Sequence, residues 1–291
     1  MRHGVERVCP ACRKPFSGDY RQATCSPACR KALGEQFQTA VVLNDVHVPF
    51  HDGRAVNLVL SYIGTLQPDT VVLGGDVLDF YQVSSFAKDP DRSVRLADEL
   101  RIARDLLRRL RDLAPKARIV YIEGNHEHRL HRFLINKAQE LCGLEGLTVA
   151  DQLHLDELDI EYVPCEADRF IDTFIWLVPK RLMVGHFSTL RGNAGATAHA
   201  LLDQYAVSII DGHCHSAGFA HKTLAGGRIV GAWENGCLCN LDPHYVRQRK
   251  WAHSFCVAYV PRDEADSHLF HVSQKLILQY AFWDGDRLWR G

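Results

Sequence analysis

No stretch of this 291-residue chain approaches the ~20 consecutive apolar residues that a helix needs to cross a bilayer. The opening Met1-Arg2-His3-Gly4-Val5-Glu6 holds no apolar core of the kind a secretory signal carries, so a cytoplasmic protein without membrane contact is expected. An excess of charge of one sign is missing as well. Lys and Arg number 34 against 35 Asp and Glu, a formal net charge of -1, so no global field draws the chain to nucleic acid or anionic lipid. Internal repeats and low-complexity segments are absent, which leaves a globular reading. What remains is ordinary: 46% apolar and 24% charged residues, in a chain long enough for a large catalytic domain and a small accessory module.

Cysteine departs from this plain picture. Of ten cysteines, Cys9, Cys12, Cys25 and Cys29 crowd into the first 29 residues as two close pairs. Without a secretion signal a disulfide framework is not expected, and four paired thiolates are what a tetrahedral structural zinc requires. So short a segment cannot bury enough apolar surface to fold alone, and a metal would supply the missing folding energy. Residues 1–37 are therefore read as a zinc-binding module and 38–291 as the catalytic domain. Cys25-Ser26-Pro27-Ala28-Cys29-Arg30-Lys31 resembles the treble-clef-like or zinc-ribbon-like fingers that end in a short basic helix. The module carries seven basic residues (Arg2, Arg7, Arg13, Lys14, Arg21, Arg30, Lys31) against Glu6, Asp19 and Glu35, a local excess of +4. Such a surface attracts phosphate backbone, but it serves equally as a solvated face or a protein-docking surface. The other six cysteines read as small buried hydrophobes. Cys214 lies between two candidate histidines, and an extended segment would point its side chain away from theirs.

From residue 38 the pattern becomes strand, motif, helix. The apolar recurrence of Ala97, Leu100, Ala103, Leu107, Leu110 and Leu113 predicts a helix over 91–113 with a solvated Arg/Asp/Glu face, closed by Pro115. A second helix, rich in alanine, is predicted over 193–205. After residue 215, Gly226-Gly227 and Trp283-Asp284-Gly285-Asp286 mark hairpin turns between short strands, the second half of a sandwich.

Five motifs fall in order: Asp45-Val46-His47, Gly75-Asp76-Val77-Leu78-Asp79, Gly124-Asn125-His126-Glu127, Gly185-His186 and Gly212-His213-Cys214-His215. Each follows a β-branched apolar run, and ligands of open α/β sheets sit beyond the carboxyl ends of strands. One cluster at one sheet edge is the expectation. Two divalent cations need roughly eight to twelve coordinating positions filled by carboxylate, imidazole, amide oxygen and water. The motifs offer Asp45, His47, Asp76, Asn125, His186, His213 and His215. One carboxylate must bridge if the ions are to sit ~3.5–4 Å apart. Asp76 is the natural bridge, because Gly74 and Gly75 before it let the backbone turn sharply.

These ordered blocks, spanning roughly residues 40–216, resemble the calcineurin-like metallophosphoesterase superfamily. The resemblance implies an α/β fold, a four-layer α/β/β/α sandwich, here preceded by the small zinc module. It implies that Asp45, His47, Asp76 and His215 hold one metal, and Asp76, Asn125, His186 and His213 the other. It further implies attack on phosphorus by a hydroxide bridging the metals, with His126 as general acid. Asp79 matches the final Asp of the second block and would orient His126, and Arg129 would contact a phosphate oxygen. The second block continues Phe80-Tyr81 where the protein-phosphatase subgroup has Arg-Gly, which disfavours a phosphoprotein substrate. The segment 79–91, with Phe80, Tyr81, Phe86 and Lys88, reads instead as an aromatic loop near the site, where bases could stack.

The remaining histidines (His51, His128, His131, His199, His221) receive no ligand role, with His128 and His199 expected at the pocket rim. Arg191 and Asn193 are read as substrate contacts or as a helix entry. The expected function is hydrolysis of a phosphodiester of nucleic acid or nucleotide, using two Mn, Fe or Zn ions, with one further structural Zn. DNA or RNA would be delivered by the basic zinc module. The alternatives are a phosphomonoesterase acting on a small molecule or phosphoprotein, and a nucleic-acid-binding or scaffold protein with a vestigial metal site.

Overall fold

The computed structural model describes residues 5–8, 14–18, 26, 36–89, 94–166, 170–242, 250–285 and 287–291. The first two strands, β1 (Val5–Val8) and β2 (Pro15–Gly18), pair as an antiparallel hairpin. The expected ligands Cys9, Cys12, Cys25 and Cys29 lie outside the described residues.

The predicted apolar runs become strands β3 (Phe37–Leu43), β4 (Thr70–Leu73), β5 (Arg118–Ile122), β8 (Leu182–His186) and β9 (Ser208–Asp211). Each is apolar nearly throughout because both of its faces are covered. Alternation sorts the side chains between two cores. Val41, Leu43, Val71, Leu73, Ile119 and Tyr121 pack with helices α1 (Gly53–Leu66) and α2 (Leu96–Leu113). Their neighbours Ala40, Val42, Val72, Val120 and Ile122 face Leu182, Val184 and Ile210 of the second sheet. On that sheet's far side, Met183, Ile209 and Ala232 pack against Ala198, Leu201 and Leu202 of helix α5 (Ala196–Tyr205). The layers are helix, sheet, sheet, helix.

After β5 come helices α3 (His128–Lys137) and α4 (Val149–Leu153). Among the described residues the first sheet has six strands in the order β13-β12-β3-β4-β5-β6, with β6 at Ile160–Val163, β12 at Ser254–Pro261 and β13 at His271–Leu276. The second has five in the order β10-β11-β9-β8-β7, with β7 at Thr173–Val178, β10 at Ala217–Thr223 and β11 at Ile229–Asn235. This corrects one expectation. The motif-bearing strands do not share a sheet: β3, β4 and β5 run parallel in the first, and β8 and β9 run parallel in the second. Their carboxyl ends meet where the two sheets face each other. The C-terminal strands are likewise divided, β10 and β11 to the second sheet and β12 and β13 to the first.

Helix α2 starts at Leu96, later than the predicted bound at residue 91, and Arg95, Asp98, Arg101, Asp105 and Arg108 form ion pairs along its exposed face. Helix α5 starts at Ala196, and the Asn193 carbonyl accepts from Ala196 N at 3.0 Å, so Asn193 stands at the helix entry. The last hairpin, β14 (Ala281–Trp283) and β15 (Leu288–Arg290), stacks Phe282 and Trp289 beside Tyr62 of α1. Among the described residues no helix is long and apolar enough to cross a membrane.

Candidate active site

The loops that leave β3, β4, β5, β8 and β9 bring the predicted donors together in two overlapping groups. In the first, ligand atoms of Asp45, His47, Asp76 and His215 all lie within 4.8 Å of one another. Asp45 Oδ1 is 3.0 Å from His215 Nε2, and the Nε2 atoms of His47 and His215 are 3.1 Å apart. In the second, Asp76 meets His186 and His213, and Asn125 Oδ1 lies 2.9 Å from His186 Nε2. Asp76 belongs to both. Its Oδ2 is 3.4 Å from His186 Nε2 and 3.8 Å from His47 Nε2, while Oδ1 accepts from His126 N at 2.9 Å.

The backbone bends sharply to achieve this convergence. Asp45, His47, Asp76, His213 and His215 all have φ between 52° and 69°, the left-handed region that costs a non-glycine residue of order 1 kcal/mol or more. Gly75, at φ 92°, is required twice over, because a Cβ there would come 2.5 Å from His186 Nδ1. At Gly124 a Cβ would collide with the Asp76 carboxylate.

Two supports have roles that the motifs do not reveal. Glu127 is fully buried and its carboxylate accepts four bonds: Asp76 N (2.9 Å), Gly124 N (2.9 Å), Leu78 N (2.8 Å) and Tyr121 Oη (2.7 Å). It ties the second motif to the third. Burial, reinforced by the Asp76 charge, pushes its carboxyl up to about 7, while the three N–H donors, which cannot accept a proton, favour the ionised form. The second support is a chain of amides. Asn235 Nδ2 donates to Val42 O (3.0 Å) and to Asn44 Oδ1 (2.5 Å), and Asn44 Nδ2 donates to Asp45 Oδ2 (2.6 Å). An isolated Asn near a strand end gives no sequence signal of this role.

His126 occupies the mouth of the site. Its Nδ1–H donates to the Asp79 carbonyl at 2.9 Å, and its Nε2 accepts from Arg129 Nη2 at 2.9 Å, so the ring is the neutral Nδ1–H tautomer. Burial, with the charges of His47 and Arg129 against the pull of Asp76, holds it down to about 3. Asp79 holds His126 by its backbone oxygen, whereas its carboxylate lies closer to His47 Nδ1, at 3.3 Å, than to His126 Nδ1, at 3.8 Å. Arg129 Nη1 also donates to the Asp79 carbonyl (2.8 Å), and the guanidinium carbon lies 5.9 Å from the centroid of the exposed Phe86 ring.

Other expectations need correction. His128 is not at a rim: it is wholly buried and pairs through Nδ1 with Glu123 Oε1 at 2.9 Å. His199 is exposed on α5 beside Asp203. Phe80 is buried in the core rather than displayed on a loop. Arg191 N donates to Thr197 Oγ1, a helix-entry contact. Cys214 turns towards Ser216 and belongs to neither donor group, although the segment bends at His213 and His215 instead of running extended.

The donor set fits divalent cations. Two ligands on one ion, each roughly 2.1 Å from it, stand roughly 3–3.5 Å apart, and the contacts above bracket that spacing. The electrostatics agree. Burial alone would lower the proton affinity of His186 and His215, yet Asp76 and Asp45 hold them up to about 10 and about 9. Burial would also raise Asp45, but His215 and His47 keep it well below the usual carboxylate range. The cluster is built to attract positive charge. In contrast, burial and the neighbouring His186 push His213 down to about 4, so it offers a neutral nitrogen.

Residues 39–217 match the family described as calcineurin-like phosphoesterase. The Gene 54 protein of Mycobacterium phage L5 is 27% identical over 214 residues, which cover 69% of this chain and 79% of that protein. Vps29 of Entamoeba histolytica, solved in complex with zinc, aligns at a TM-score of 0.42 with 13% identity, over 84% of this chain and 96% of its own. Yfce, a phosphoesterase from E. coli, aligns at 0.37 with 15% identity, over 81% and 98%.

Proposed function

As this chain belongs to the calcineurin-like phosphoesterase family, we propose that it hydrolyses a phosphodiester of nucleic acid or nucleotide with two divalent cations held between its sheets. The family is one of metal-dependent hydrolases of phosphate esters. The observation that carries the two-metal reading is Asp76 Oδ2, which faces imidazoles of both donor groups at once. Asp45, His47, Asp76 and His215 would hold one cation, and Asp76, Asn125, His186 and His213 the other. When bound, such a pair neutralises phosphoryl oxygens and supplies a water-derived nucleophile at neutral pH.

The chain's own residues supply positioning and a proton. With Nδ1 committed to the Asp79 carbonyl, Nε2 is the atom of His126 that exchanges a proton with the leaving oxygen. Arg129 Nη2 stands at that atom and marks where a phosphoryl oxygen would sit. A bound phosphate draws the guanidinium to itself and, by its negative charge, raises the proton affinity of His126.

The diester and nucleic-acid preference rests on the exposed Phe86 beside Arg129, a face on which a base can stack, and on the basic N-terminal segment. The segment's four cysteines would hold a structural zinc. The test is a panel run with Mn²⁺, Fe²⁺ and Zn²⁺ on an aryl diester, an aryl monoester, cyclic nucleotides, and single- and double-stranded DNA and RNA. Turnover of diesters well above monoesters is expected. Preference for the monoester would move the assignment to a phosphomonoesterase.

A further inference from the structure

His215 presents Nε2 to Asp45 and His47, and its other ring nitrogen faces sulfur. Cys239 Sγ lies 3.8 Å from His215 Nδ1, within hydrogen-bond reach for a sulfur acceptor, and both residues are buried. A ligating imidazole must offer a lone pair at the metal-facing nitrogen, so its proton must sit on the opposite one, and whatever accepts that proton fixes both tautomer and ring orientation. Here the acceptor is held rigidly against the motif loops. Leu238 N donates to the Asp45 carbonyl (3.0 Å) and Asn240 N to the Phe50 carbonyl (2.9 Å), on either side of Cys239. The Cys239 carbonyl accepts from His253 Nε2 at 2.8 Å. On the other flank, the Trp251 ring meets His215 edge-on at 4.3 Å between centroids, and Ala252 N donates to the His215 carbonyl.

We propose that Cys239 is a positioning residue for the metal site: its sulfur accepts the Nδ1–H of His215 and so selects the tautomer and ring angle that aim Nε2 at the cation shared with Asp45 and His47. The proposal rests on the reading that this donor group binds a cation. It does not make Cys239 a ligand, although the Sγ atoms of Cys237 and Cys239 and a ring nitrogen of His215 lie within 4.8 Å of one another. Nδ1 points away from the contacts with Asp45 and His47, so a cation held by the sulfurs would not be the one held by the carboxylates.

The test compares wild-type protein with Cys239→Ala and Cys239→Ser. Serine keeps an acceptor in nearly the same place; alanine removes it. Stepwise Zn²⁺ titration against a chelator should show one of the two catalytic-domain binding events weakened by about 10–100-fold in Cys239→Ala, the usual cost of losing such a partner, and largely restored in Cys239→Ser, with any event at the four N-terminal cysteines unchanged. In the Zn²⁺-loaded protein, the His215 Nδ1–H proton should be visible by NMR in wild type and Cys239→Ser, and lost to solvent exchange in Cys239→Ala. Circular dichroism of the metal-free variants checks that each is folded. If Cys239→Ala binds both ions as tightly as wild type, or serine fails to rescue a folded variant, the positioning role is wrong. A sulfur-to-cobalt charge-transfer band in Co²⁺-loaded wild type, absent in Cys239→Ala, would overturn it in favour of direct ligation. Wild-type protein whose catalytic domain binds no cation defeats the underlying metal reading, and this proposal with it.

Discussion

Replacing Glu127 with Gln tests whether one buried carboxylate holds the metal-facing loops together. The two side chains are nearly isosteric, so packing is preserved and the change is one of hydrogen-bond chemistry. Glu127 Oε2 accepts from Asp76 N and Gly124 N, and Oε1 from Leu78 N and Tyr121 Oη. An amide has one oxygen, so its NH₂ must confront either the first two donors or the second two. Two buried donors lose their acceptor in the first orientation; in the second, Tyr121 can rotate its hydroxyl and one N–H is stranded. Each unsatisfied buried donor costs about 1–3 kcal/mol. The expected loss is therefore about 1–6 kcal/mol, out of a total stability of about 5–15 kcal/mol. At roughly 2–4 °C per kcal/mol for a domain of this size, the metal-free variant should melt some 2–24 °C lower. Differential scanning calorimetry on metal-free protein reads this directly. Cation affinity should fall too, because Asp76 N and Gly124 N position the Asp76 carboxylate. A melting temperature within about 2 °C of wild type, with unchanged affinity, would refute the reasoning.

Three further outcomes are expected. His126→Ala should keep both cations yet lose about 10²–10⁴-fold in turnover on substrates with poor leaving groups, and much less on an activated aryl ester; equal losses on both in steady-state assays would remove His126 as the acid. Because Asp76 and Asp45 hold the His186 and His215 proton affinities up to about 10 and about 9, cation uptake at pH 7.5 must displace protons. Affinity should rise with pH up to those values, and calorimetry in buffers of different ionisation enthalpy should report net proton release. The same shifts predict that the protonated imidazoles stabilise the metal-free fold fully below about pH 6.5, and that this contribution is lost as pH rises through 9–10. Deleting residues 1–37 should spare hydrolysis of a small diester while lowering nucleic-acid affinity and its salt slope, since a +4 surface is removed; unchanged affinity and slope in a fluorescence-anisotropy titration would reject delivery by this segment.

The sequence carried the strands and the donors because both leave strong local signals. An apolar β-branched run followed by Asp, Asn or His with flanking glycine is readable residue by residue, and the seven donors do gather. The division of the strands between two sheets was not readable, because β3 and β8 carry similar apolar patterns and only tertiary pairing assigns them. Helix ends drifted for a related reason: the alanine-rich run before Tyr205 has no capping side chain to mark its start. Supports were the least visible. Glu127, Asn44 and Asn235 act through bonds to backbone atoms up to 193 residues away, and Cys239 touches His215 across a separation of 24. His128 misled because a histidine beside a motif looks available, whereas the first turn of α3 buries it against Glu123.

The proposed mechanism requires two cations that share Asp76. Elemental analysis, paired with stepwise titration, should find two ions per catalytic domain in wild-type protein, beyond any ion held by the four N-terminal cysteines. In Asp76→Asn both binding events should weaken together, because the lost charge faces the imidazoles of both groups. A single ion in the fully loaded catalytic domain, or an Asp76→Asn variant in which only one binding event changes, would contradict it.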